Sequence, residues 1–99
     1  MYLNNYINEI RKLCQNNRVK YLYAFGSVLT DKFRAESDID LIVDIKSEDP
    51  IEYAEKYFNL KFELEKLLNR KIDLLESKAI KNQFLLENIE KSKTLIYAA

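Results

Sequence analysis

The strongest constraint on this chain is a strand that opens on two aspartates. Asp38-Ile39-Asp40-Leu41-Ile42-Val43-Asp44-Ile45 has the apolar, β-branched content of a strand. Strand periodicity puts Ile39, Leu41, Val43 and Ile45 on one face, and Asp38, Asp40, Ile42 and Asp44 on the other. Upstream, Val19–Phe25 reads as a strand that delivers Gly26-Ser27 to its end. A glycine lets backbone approach a phosphate closely, and a following serine can donate a hydrogen bond to it. Two carboxylates at i and i+2 point the same way and could hold a divalent cation against that phosphate. The plainer alternative makes Gly26-Ser27 a strand-ending turn with Ser27 as a helix N-cap, and Ser37-Asp38 a polar loop exit. It leaves Asp40 unexplained, because aspartate is disfavoured inside a strand.

Gly26 is the only glycine in the 99 residues, which suggests a position where a side chain would not fit. The chain length predicts one domain, residues 1–99, with a real but modest core. Lysine plus arginine total 16, as do aspartate plus glutamate, so the chain is formally neutral and no broad basic surface is implied. That argues against nucleic acid as the direct partner. The sequence shows no signal peptide and no bilayer-length apolar run, so no membrane is expected and the expected location is cytoplasmic. Histidine is absent, which removes histidine-based catalysis and most zinc sites. The single cysteine, Cys14, falls on an apolar helix face and reads as core.

The remaining chain alternates helices and strands. Leu3, Ile7, Ile10 and Cys14 predict an amphipathic helix over 2–17. Residues 27–37 read as one helical turn and a loop, within which Lys32 and Arg34 could reach a phosphate. Ser47-Glu48-Asp49-Pro50 is a helix start, and Tyr53, Tyr57, Leu60, Leu64 and Leu67 carry that helix to about Asn69. A short strand, 71–75, contains Asp73. A helix over 78–91 is expected to bury Ile80, Phe84, Leu85 and Ile89, and Thr94–Tyr97 reads as a closing strand. The fold class is α/β (α+β), a small sheet flanked by helices.

Asp73 is a third candidate carboxylate. Its apolar neighbours make a lone charge costly there unless a metal, a proton transfer or a salt bridge to Lys71 accounts for it. Asp44 reads as a surface carboxylate at the strand end. The seven tyrosines read mainly as core, with some available for a partner surface.

These residues resemble the nucleotidyltransferase superfamily that includes polymerase β, and most closely its minimal nucleotidyltransferases. The resemblance rests on Ala24-Phe25-Gly26-Ser27, then Ser37-Asp38-Ile39-Asp40-Leu41-Ile42-Val43, then Ile72-Asp73-Leu74. It implies a mixed sheet with flanking helices and a site for ATP with Mg2+. Gly26 and Ser27 would hold the β- and γ-phosphates, Asp38, Asp40 and Asp73 would serve metal and catalysis, and Asp73 would help activate the attacking hydroxyl. Many relatives carry an arginine and a second glycine after Gly-Ser, where this chain has Val28-Leu29-Thr30-Asp31. Minimal members are commonly antitoxins paired with a HEPN-type ribonuclease toxin, and some transfer AMP to a toxin tyrosine. The resemblance therefore implies a protein adenylyltransferase with a HEPN-type partner. The alternative is a catalytically idle binding module that neutralises its partner by contact.

Overall fold

The computed structural model describes every residue from Met1 to Ala99. Four strands form one sheet in the order β3-β2-β1-β4, where β1 is Val19–Phe25, β2 Ile39–Ile45, β3 Ile72–Glu76 and β4 Thr94–Ala98. β1 pairs antiparallel with both β2 and β4, while β2 and β3 run parallel. The sheet is therefore mixed, as the resemblance implied. A parallel pair needs a long crossover, and helix α2 (Pro50–Leu68) supplies it.

Burial follows the two-residue period. Ile39, Leu41, Val43 and Ile45 of β2 join Leu22, Ala24, Ile72, Leu74 and Ile96 in the main core. Helix α1 (Ile7–Asn16) adds Ile10 and Cys14, and α2 adds Leu60, Leu64 and Leu68. Burial raises the Cys14 thiol to about 12, so it stays protonated and acts as a small apolar residue. Buried Asn17 locks the two helices together. Its amide donates to the Leu13 carbonyl at 2.8 Å, and its oxygen accepts from Asn59 at 2.8 Å.

The helix starts and stops follow local chemistry. Asp49 caps α2 by accepting from the Ile51 amide at 3.0 Å, with Pro50 in the first turn, and Asn69 ends the helix in the left-handed region. The first helix differs from expectation, since Tyr2–Tyr6 forms a tighter 3-10 turn and the α-helix begins only at Ile7. The last helix is also shorter. A 3-10 turn occupies Ser77–Ala79, and α3 runs Gln83–Ser92 after Asn82, whose side chain accepts from the Leu85 amide. Of its expected apolar face only Ile89 is buried; Phe84 is 80% exposed. No helix is long and apolar enough to cross a membrane.

Candidate active site

The site builds from the sheet register. Residues directly opposite one another on paired strands project from the same side. Phe25 stands opposite Asp40, and Asp40 opposite Asp73. The end of β1, the start of β2 and the start of β3 therefore meet on the face away from the main core. Gly26 follows Phe25 directly and opens a 3-10 turn, Gly26–Leu29. Ser27 lies inside this turn and does not cap it. Its carbonyl accepts from the Thr30 amide at 2.9 Å and the Thr30 hydroxyl at 3.0 Å.

Gly26 has φ +77°, and a β-carbon added there would come within 2.6 Å of Asp40 Oδ2. The only glycine thus sits where a side chain is excluded, and what excludes it is the carboxylate of the aspartate motif. The space left open beside the turn is a cavity of about 700 Å³, lined by Gly26, Leu29, Thr30, Ser92 and Thr94 together with Met1 and Asn4.

The Asp40 carboxyl is raised above its ordinary value, first by burial and then by the negative charges of Asp73 and Asp38. Asp38 lies just before β2, is half-exposed, and has Lys71 Nζ 3.9 Å from its Oδ2. Asp73 is exposed, contrary to the expectation of a carboxylate embedded among apolar neighbours. β3 is an edge strand, so the outer face of its residue 73 is open. Lys71, which the alternative reading offered as a salt-bridge partner for Asp73, lies against Asp38 instead.

The donor set fits a hard divalent cation in one particular way. No three acidic side chains converge closely enough to cage an ion. Magnesium, however, usually takes one or two carboxylates plus substrate phosphates and water. Asp38 and Asp40 on either side of Ile39, Asp73 in register beside Asp40, and a glycine where the Asp40 carboxylate leaves no room for a side chain match this pattern.

The other basic candidates are placed differently. Arg34 Nη1 donates back to the carbonyls of Asp31 at 2.8 Å and Phe33 at 3.3 Å, and Lys32 is exposed in the same loop. Asp44 overturns its assignment as a surface carboxylate. It is only 4% exposed, and its Oδ1 has no hydrogen bond and sees Lys78 Nζ at 3.5 Å. Lys78 also lines a separate groove of about 460 Å³ at the far end of β2, together with Tyr53, Tyr57, Phe58 and Glu76 among others. There burial and the charges of Glu76 and Asp44 push the Tyr53 hydroxyl up to about 12.

A sharp turn after one strand, paired carboxylates on the next, and a third carboxylate across a parallel neighbour define a nucleotidyltransferase of the polymerase β type. The chain belongs to that family: the profile described as "Polymerase beta, Nucleotidyltransferase" matches residues 8–99. A relative from Methanocaldococcus jannaschii, named as a candidate protein adenylyltransferase, is 36% identical over 99 residues, covering 92% of this chain and 96% of its own. A solved structure described as a candidate minimal nucleotidyltransferase shares the fold at TM-score 0.75 and 24% identity, covering 93% of this chain and 90% of that one. The MNT antitoxin fold solved in complex with a tri-AMPylated HEPN toxin of Shewanella oneidensis also matches. Its TM-score is 0.64 at 24% identity, over 100% of this chain and 74% of the solved one.

Proposed function

We propose that this chain transfers AMP from ATP to a hydroxyl of a partner protein, the partner being a HEPN-type toxin and the chain its antitoxin, in the cytoplasm. The observation that carries this reading is the Asp40 carboxylate occupying the space a side chain at Gly26 would need, with Asp73 in register beside Asp40. In support, relatives are named as candidate protein adenylyltransferases, and one fold relative was solved with an AMPylated HEPN toxin.

In this mechanism Gly26 and Ser27 bring backbone and hydroxyl donors to the β- and γ-phosphates of ATP. Asp38 and Asp40 would hold Mg2+, with Asp73 beside Asp40 in register. When bound there, the ion would supply charge neutralisation to the phosphates. Asp73 accepts the proton of the attacking hydroxyl, whose oxygen bonds to the α-phosphorus as the bond to pyrophosphate breaks. Its exposure suits this role, because an acceptor from a second protein must reach it. Much of the rate comes from holding that hydroxyl in line.

A second reading has its own observation. Beside Gly26 the turn presents Val28-Leu29-Thr30-Asp31, and Arg34 is tied back to its own loop. On this reading the chain neutralises its partner by contact alone.

One experiment separates them. The chain is incubated with a HEPN-type toxin, ATP and magnesium, and the toxin's intact mass is measured. Addition of AMP to a toxin tyrosine, lost with Asp38→Asn or Asp40→Asn while the complex survives, supports the transferase. A neutralised toxin without an adduct overturns it in favour of the binding module.

A further inference from the structure

We propose that Arg70 is a positioning residue for Asp38, acting through the loop that delivers the first aspartate of the motif. Arg70 follows the left-handed Asn69 at the turn from α2 to β3, and its own amide donates to the Glu65 carbonyl. Its guanidinium lies 4.1 Å from the ring centroid of Phe33 and 4.7 Å from that of Tyr2. From there Nη1 donates to two carbonyls of the motif loop, Arg34 at 2.6 Å and Ser37 at 3.1 Å. The Arg34 carbonyl also accepts from the Ser37 amide, so Arg70 closes a turn spanning both residues.

The Ser37 carbonyl belongs to the peptide that leads into Asp38. Fixing it sets the direction in which Asp38 leaves the loop. The other side of that step is held by the first rung between β2 and β3, where the Ile39 amide donates to the Lys71 carbonyl at 3.1 Å. Residues 30–38 otherwise form no helix or strand, so an unpinned Asp38 would have to be ordered when an ion binds. Outer partners that orient a ligand are part of a metal site for this reason. Lysine cannot substitute. It lacks the planar group that lies against two rings while donating to two acceptors.

The inference rests on the role proposed for Asp38, and the test keeps the two apart. Binding of ATP with magnesium is measured by calorimetry for the wild type, Arg70→Lys, Asp38→Asn and the double variant. Amide exchange at Ser37 and Ile39 is followed in the ion-free protein. Arg70→Lys should weaken binding roughly ten- to a hundredfold. It should speed exchange at Ser37 while leaving Leu22 and Val43 unchanged. In the Asp38→Asn background it should cost nothing further, whereas a general structural role would cost the same in both backgrounds. Phe33→Leu, which removes one ring from the clamp, should show a smaller loss in the same direction.

Wild-type binding in Arg70→Lys, an equal loss in both backgrounds, or unchanged exchange at Ser37 would each overturn the inference alone. Should Asp38→Asn bind too weakly to measure, the exchange at Ser37 decides. A wild-type chain that does not bind ATP with magnesium, or an Asp38→Asn variant that binds normally, overturns the proposed function and this inference with it.

Discussion

The carboxylate of Asp40 fills the space that a side chain on residue 26 would need. The two positions are joined by one steric fact, a 2.6 Å approach to an imagined β-carbon. Because the crowding atom is the end of a rotatable side chain, Gly26→Ala can be accommodated by turning Asp40 aside. The cost to folding then comes from the positive φ, about 1–2 kcal/mol for a residue with a β-carbon. The cost to binding should be larger, since the carboxylate is displaced from the turn. Urea denaturation and calorimetry with ATP and magnesium give the two numbers. Equal binding by Gly26→Ala and the wild type would show that this contact has no part in the site.

The raised Asp40 carboxyl sets a pH dependence with a definite sign. Below the ordinary carboxylate range, folded and unfolded chains both keep the proton. As pH rises above it, the unfolded chain releases the proton first, so ionising Asp40 lowers stability until the folded form has ionised too. Asp40→Asn removes that loss. In the absence of magnesium the variant should be at least as stable as the wild type at neutral pH, with the advantage vanishing in acid. Thermal melts across the acid-to-neutral range would check it; a variant less stable at pH 7 than at pH 3, relative to wild type, contradicts the sign.

Asp73→Asn should separate chemistry from binding. The exposed position carries little packing, so the fold should be unaffected. Transfer should fall by ~10²–10⁴ while ATP binding falls far less, the pattern expected on removing a proton acceptor. Single-turnover kinetics with saturating nucleotide would measure this, and equal losses in rate and affinity would reassign Asp73 to ion binding.

Two lysine–aspartate pairs should differ in worth. Lys71 faces half-exposed Asp38 at 3.9 Å, and Lys78 faces buried Asp44 at 3.5 Å. Lys71→Met should change stability by at most about 1 kcal/mol, as for other surface pairs. Lys78→Met leaves a buried carboxylate without its cation and should cost more, about 1–3 kcal/mol. Comparable shifts in urea midpoint for the two variants would contradict this ranking.

The sequence carried the site more clearly than its surroundings. Gly26, Asp38 and Asp40 were legible because strand periodicity fixes facing, and because a lone glycine and a strand aspartate each go against propensity. The same propensity argument applied to Asp44, whose place inside β2 was a signal of burial. For Asp73 the apolar neighbours suggested burial, but strand order, which no local pattern encodes, put it on an edge, in register with Asp40. In α3, Ile80 and Phe84 fit a helical spacing by coincidence, whereas Asn82 was the cap that marked the true start. Arg70 had no local signal. Its partners Tyr2, Phe33 and Ser37 are brought to it only by the tertiary fold.

The parallel pairing of β2 with β3 also has a kinetic consequence. β1 and β2 pair across the connection of residues 26–38, which sets Gly26 beside Asp40 with a shorter loop to close than the β2–β3 crossover. Asp73 reaches them only through the longer crossover that contains α2 and lays β3 alongside β2. Non-local parallel contacts of this kind are slow to form. A chain in which β3 has come away from β2 therefore keeps the first half of the site and lacks the residue proposed to take the proton.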